Sequence, residues 1–374
     1  NYTSDMQEKS LISYFARLEY GFKEKYLFSA SFRRDGSSTF GRDNRWGTFP
    51  SVAAAWSFSE ENFVKDNLGW LSFGKFRVSW GRSGMHFSNN YLALGIMQVG
   101  GSSYLGNSIL EPEWSEGLYN DELSWEETDQ YDFGLDVDMF EHRLGITLDY
   151  YYRYTDKLLN KVDLPGRGRT TGYRKQWRNV AAVSNEGIEM MVKYEIFRKK
   201  DLFWKVSVNM ARNWNRFEKS YTGVDINGLI IGKSLNGIYA LKTDGYVDYQ
   251  SDVPVYFNQR GVKVPMSPRT NTTAYYKPGD YRFVDVNGDR KITTDDAVYC
   301  GSTLPELTGG IVSELRWKNF DVNLLMSFQL GRHMLDDTKT RALSSMSYLQ
   351  YNALVMDLNE VSFWEKPGDN TDYP

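Results

Sequence analysis

Hydrophobic and polar residues alternate one for one over long stretches of this chain. Ile12, Tyr14, Ala16, Leu18, Tyr20 and Phe22 share one face, while Ser13, Phe15, Arg17, Glu19 and Gly21 share the other. Strand side chains switch face at every residue, so the run predicts a strand of about eleven residues. After the polar turn Lys23, Glu24, Lys25, the pattern resumes with Tyr26, Phe28, Ala30 and Phe32, which completes a hairpin. Val52, Ala54, Trp56 and Phe58 repeat it, as do Phe76, Val78 and Trp80. So do Tyr131 to Met139 and, beyond the turn Glu141, His142, Arg143, the run Leu144 to Thr155. Ile188 to Ile196 turns through Arg198 to Asp201 into Leu202 to Met210. A last hairpin joins Ile311, Leu315 and Trp317 to Phe320 through Leu330.

About ten strands of roughly ten residues emerge, twice the usual globular length. Their connections sort into two kinds. Four are tight turns, and a fifth, Ser59 to Trp70, reads as a brief helix opened by Ser59 with Glu60 and Glu61 in its first turn. The alternate connections, near 34–47, 83–128, 156–182, 217–307 and after Gly331, are long and rich in Gly and polar residues. Short turns alternating with long loops on tilted strands of this length characterise an outer-membrane barrel. A sheet crosses hydrocarbon only when its backbone polar groups are all paired, which requires closure. A large soluble β-sandwich also alternates, but nothing in it sorts loops by length.

The two faces differ in chemistry. Arg17, Glu19, Arg33, Lys75, Arg77, Asp136, Asp149, Arg153, Lys193 and Glu195 occupy the polar face, as a water-filled lumen requires. Tyr20, Phe22, Tyr26, Trp204 and Trp317 sit near the short turns, where an interfacial aromatic girdle belongs. Composition agrees: the chain is 16% aromatic and 41% hydrophobic, and no run of apolar residues suffices for a membrane helix. Its formal charge of −4 is dispersed, which argues against nucleic-acid binding. One cysteine, Cys300, and three scattered histidines give no zinc pattern.

Several blocks of sequence stand out from the alternation. The first is Phe-Arg-Arg-Asp-Gly-Ser-Ser-Thr-Phe-Gly from Phe32 to Gly41, followed by Asn-Arg-Trp-Gly-Thr-Phe-Pro-Ser from Asn44 to Ser51. Leu123 to Tyr131, Gly279 to Asp289, Pro305 to Gly310 and Pro367 to Pro374 follow in order along the chain. Together these blocks resemble the SusC/RagA family of TonB-dependent outer-membrane transporters, a resemblance that implies an all-β, antiparallel transmembrane barrel of 22 strands, a plug within it, a TonB-contacting N-terminal segment and a SusD-like surface lipoprotein as lid. It also implies import of oligosaccharides or peptides across the outer membrane. Ten strands cover part of such a barrel, so the chain is expected to be an internal or C-terminal-half segment, with the plug and missing strands as its partners. Residues 1–331 then supply barrel strands and outer loops, with 217–307 the largest excursion, and 332–374 an outer loop leading onward. A passive pore or adhesin, and a soluble carbohydrate-binding sandwich, are the competing readings.

One stretch carries a cation pattern. Asp285, Asn287, Asp289 and Asp296 fall at positions one, three, five and twelve of a calcium loop. Arg290 replaces the usual glycine at position six, and Asp296 replaces the glutamate at twelve. A polar turn whose Asx side chains bond their own backbone fits the same residues. No other cofactor is implied. The glycine-rich run Gly166 to Gly172 lacks the strand-to-helix setting of a phosphate loop, and His86 and His333 lie in outer loops without a catalytic motif, so no enzyme activity is expected. Tyr91, Tyr104, Trp114, Tyr119, Trp177, Tyr239, Tyr246 and Tyr249 are outer-loop aromatics suited to stacking on a ligand or packing against loops or a lid.

Overall fold

The computed structural model describes residues 8–87, 92–95, 97–104, 107–112, 117–164, 172–225, 229–257, 260–267, 275–336, 362, 364–369 and 371. It divides into two units, residues 1–235 with 305–331, and residues 236–304 with 332–374. Residues 332–374 thus group with the largest outer excursion.

The first unit is built on one antiparallel sheet. It opens with β1 (Leu11–Phe22), β2 (Tyr26–Ser37), β3 (Trp46–Trp56), the helix α1 (Asn62–Asn67) and β4 (Leu71–Met85). A small hairpin, β5 (Met97–Tyr104) with β6 (Asn107–Pro112), stands outside the sheet. The sheet continues with β7 (Glu126–Met139), β8 (Leu144–Asp163), β9 (Lys175–Lys199) and β10 (Leu202–Lys219). In the second unit, β11 (Gly237–Leu241), β12 (Thr243–Tyr246), β13 (Val255–Phe257), β14 (Lys263–Pro265), β15 (Tyr281–Phe283) and β16 (Ala297–Ser302) form three short pairs, β11 with β16, β12 with β15 and β13 with β14. The chain returns to the large sheet with β17 (Leu307–Trp317) and β18 (Phe320–Leu330).

The ten-stranded order is β1-β2-β3-β4-β7-β8-β9-β10-β17-β18, so every strand of the large sheet pairs with its neighbour along the chain. Register carries the alternation across strands: Phe22, Tyr26, Trp56, Phe76, Leu135, Leu148, Met190 and Met210 form one continuous row of opposed residues. That row leaves the first short turn yet reaches β10 eight residues beyond its start at Leu202. This stagger is the shear of a tilted barrel wall. No helix among the described residues is long and apolar enough to cross a membrane. The exposed faces of Leu18, Phe28, Phe76, Phe133, Leu148, Ile188 and Met326 would be costly in water and suit lipid.

Some local details depart from the periodicity. Ser59 does not open a helix: it lies buried in a 3-10 turn, Phe58–Glu60, and α1 begins only after Glu61. The Glu61 carboxylate does not cap α1, because it accepts from the Tyr26 hydroxyl at 2.6 Å, Lys25 Nζ at 3.2 Å and Trp56 Nε1 at 3.3 Å. Ile196 leaves the apolar alternation at a β-bulge, where Glu195 opposes Lys205 and Phe197 opposes Trp204. Phe197 stacks on Trp204 at 6.1 Å, and Arg143 donates to the carbonyl oxygens of Glu195 and Ile196. The strands β8 and β9 run to 20 and 25 residues, well beyond a bilayer crossing of 9–11.

Candidate functional site

Alternation puts all ten predicted lumen charges on the polar face of the sheet, opposite the aromatic rows. Most are paired. Arg77 on β4 donates to Asp136 on β7 at 2.7 Å and to Asp149 on β8 at 2.9 Å. Thr147 adds a hydroxyl donor to Asp136 at 3.1 Å. Lys205 and Glu314 approach at 3.5 Å, Arg17 pairs with Glu19, and Arg198 with Glu195. Arg33 pairs with Asp35 at 2.8 Å, and Asp35 is only 5% exposed. Arg153 lies 5.4 Å from the Tyr151 ring. Charges of both signs therefore cancel locally, leaving a hydrated wall without a single-sign field.

Two glycines make these cross-strand ties sterically feasible. A Cβ on Gly134 would lie 2.6 Å from the Arg77 guanidinium and 2.6 Å from Asp149 Oδ1. Its absence lets Arg77 lie flat across β7 and reach two strands away. Gly187 plays the same part on β9, where a Cβ would lie 2.5 Å from the Tyr151 hydroxyl. That hydroxyl crosses β9 and donates to Asn213 on β10 at 2.9 Å. Periodicity marked neither strap, because both depend on a gap rather than a residue type. Towards β1, Ser29, Ala53, Ala55 and Ser79 form a low floor beside Glu19 and Arg77.

Above the polar face, at the end of the long loops, Phe40, Phe49, Leu92, Leu123 and Trp125 form a buried cluster. Phe87, Leu159 and Trp177 pack against it. Trp125 lies tilted on Phe40 at 5.1 Å and edge-on to Phe49 at 5.4 Å, and donates from Nε1 to the Arg45 carbonyl at 3.0 Å. Asn120, Gln176 and Asn179 lace residues 117–125 to the outer end of β9 through backbone carbonyls. The Phe32 to Gly41 block is thus a scaffold for the mouth: Asp35, Ser37, Thr39 and Phe40 are buried there.

Among the predicted aromatics, Trp177 packs on this cluster with Lys161 Nζ 5.3 Å from its ring. In the second unit, Tyr239 meets Tyr299 edge-on at 5.7 Å, and Tyr246 stacks on Tyr281 at 5.1 Å while donating to the Thr371 carbonyl. All three touch neighbouring residues of the loops. Tyr119 and Tyr249 are exposed, at 54% and 58%. Tyr91 and Trp114 lie outside the described residues, as does most of the run from Gly166.

The loop 285–296 belongs to the second unit, whose core is Val247, Val253, Met266, Tyr276 and Ile292. Burial pushes the Tyr276 hydroxyl up from its ordinary value. Asp285 accepts from the amides of Gly288 and Arg290, Asn287 from Asp289, and Asp289 from Lys291. Asp296 is fully buried and accepts from Val286, Asn287 and Thr293. Burial alone would raise its pKa, but those three amide bonds outweigh it and hold the carboxyl below its usual value. Arg290 takes φ of +70°, the conformation that glycine supplies at position six. Among the described residues, no three His, Cys, Asp or Glu side chains converge into a metal cluster.

These features match known proteins. A family described as TonB dependent receptor-like, beta-barrel, matches residues 1–347. The chain is 30% identical to TonB-dependent receptor P3 of Formosa agariphila, covering 100% of this chain and 36% of that protein. It is 30% identical to TonB-dependent receptor SusC of Bacteroides thetaiotaomicron, covering 90% of this chain and 32% of that one. The chain spans about a third of the length of these relatives. In fold it resembles the RagAB peptide importer in its open-open state, with a TM-score of 0.67 at 22% identity over 98% of this chain and 38% of that one. The alternating sheet, its two chemically distinct faces and the match over residues 1–347 place the chain in the TonB-dependent receptor-like β-barrel family of outer-membrane transport proteins, which are not enzymes.

Proposed function

We propose that this chain is the barrel-wall portion of a SusC-type importer, which takes up oligosaccharides or peptides with a SusD-like lipoprotein lid and TonB-derived energy. The polar face carries the reading: its charges are tied to one another rather than aimed at one cargo charge, which suits large, hydrated, mixed-polarity cargo. Its likeness to SusC over 90% of the chain supports the same assignment. The plug, the remaining strands and the TonB-contacting segment belong to the rest of such a transporter.

The test is deletion of the full-length gene, with growth followed on defined glycans and on peptides as sole nutrient. Loss on one class, restored by the full-length gene and abolished by removal of the TonB-contacting segment, is expected. Growth that survives this removal would identify a passive pore instead. Tagged transporter should retain a lipoprotein after detergent extraction.

The loop 285–296 is proposed to bind calcium. Each carboxylate has about four lone-pair positions, so the amide bonds to Asp285, Asp289 and Asp296 leave acceptor capacity. The positive φ of Arg290 supports this reading.

A further inference from the structure

The outward face of the sheet changes character at its outer end. Trp46, 44% exposed, leans from β3 across β2, where a Cβ on Gly36 would lie 3.0 Å from the indole ring. Its ring reaches Tyr14 on β1, with centroids 6.0 Å apart and planes 19° apart. The guanidinium of Arg34 lies 5.4 Å from the same ring. Tyr14 and Arg34 are direct partners in register and lie on the face of Leu18 and Phe28. A second pair of the same make stands on β10, where the Arg212 guanidinium lies 4.9 Å from the Trp214 ring. Arg212 opposes Ile188, so it too faces outward.

These two arginines differ from their outward-facing neighbours. Arg82 binds Asp129 through two hydrogen bonds and approaches Glu127, and Arg216 faces Glu218. Among the described residues, no carboxylate forms an ion pair with Arg34 or Arg212. A guanidinium stacked on indole keeps its N–H edges free, and that edge matches a phosphate in bidentate geometry. Both stacks occur on the side of the long loops, at the level where the apolar rows give way to polar residues. This is the depth of the outer-leaflet headgroups.

We infer that the Arg34–Trp46–Tyr14 stack and the Arg212–Trp214 pair are binding sites for the phosphate groups of outer-leaflet lipid. The aromatic rings lie along the acyl boundary, and the guanidinium edges take the phosphate. The inference extends beyond nutrient import and holds whatever the cargo.

The test uses the full-length transporter in phosphatidylcholine nanodiscs doped with diphosphoryl lipid A or its monophosphoryl form. Bound lipid is counted by native mass spectrometry, with folding checked by gel mobility without heating. Replacing both arginines by glutamine should weaken retention of the diphosphoryl lipid about tenfold or more, the loss of a charge-assisted hydrogen bond or two. Arg82→Gln should leave retention unchanged, and inorganic phosphate in excess should not displace the lipid. Should the double variant yield no folded barrel, Arg34→Gln and Arg212→Gln singly carry the test. Equal retention by wild type and variant, an equal loss in Arg82→Gln, or displacement by free phosphate would each overturn the inference.

Discussion

Thr147 and Leu148 are adjacent on β8, yet the same substitution should have opposite outcomes at the two positions. Leu148 is 41% exposed on the outward face, between Leu135 and Met190. It lies four residues beyond the first residue of its strand, Leu144. At about 3.4 Å per residue and a tilt of about 40°, that is roughly 10 Å into an apolar band about 25 Å tall, near its centre. Arginine there should cost about 2–4 kcal/mol, or roughly 30- to 700-fold in the folding equilibrium at about 1.4 kcal/mol per tenfold. Thr147 faces the other way, opposite Asp136 and Met191, and its hydroxyl bonds Asp136. Arginine there meets water and a carboxylate, at a cost of about 1 kcal/mol or less. The assay is folded yield of the full-length protein in lipid vesicles across a urea series, read from gel mobility without heating. Equal losses at 147 and 148, or a greater loss at 147, would refute the assignment of faces and the barrel with it.

Other expectations follow from single contacts. Gly187→Leu should displace Tyr151 from Asn213 and cost about 1–3 kcal/mol by overpacking, whereas Gly69→Ala, with nothing within 4 Å of the added atom, should be near neutral in the same urea series. Chelation should speed proteolysis of residues 236–304 in wild type and leave Asp289→Ala unaffected; equal rates in both would leave the turn without calcium. Because the folded pKa of Asp296 is lowered, its contribution is full above its unfolded pKa of about 3.9 and is lost as pH falls through the folded value. Protection of the Val286, Asn287 and Thr293 amides against hydrogen exchange, taken relative to the intrinsic rate at each pH, should therefore fall only below about pH 4, and loss of protection near neutrality would contradict it.

The strands were legible because burial in lipid on one face and water on the other enforces a period of two. Legibility faded where that contrast ends. The outer halves of β8 and β9, from Asp156 to Asp163 and Lys175 to Ala182, extend past the roughly 9–11 residues of a bilayer crossing and carry Asn and Ala on both faces. Ile196 continued the alternation on paper, but the bulge reset the phase one residue later, and Phe197 took the lipid-facing place. The lumen charges could be placed by parity alone. Their partners could not, since Arg77 finds Asp149 72 residues away through register and a glycine gap. Trp177, Tyr239 and Tyr246 looked equally suited to cargo and to packing, and the neighbours they touch come from distant stretches of sequence that periodicity does not bring together.

The flat-lying Arg77 and Tyr151 also set the relief of the channel. A side chain that stands upright from the wall narrows the bore by its own length, whereas one laid tangentially over a glycine narrows it by little more than its thickness. By lying down over Gly134 and Gly187, these two long residues brace strands two apart while staying out of the path. Either glycine, replaced by a larger residue, would therefore do more than loosen the wall: it would lift a guanidinium or a phenol into the conduit and make a smooth passage rough.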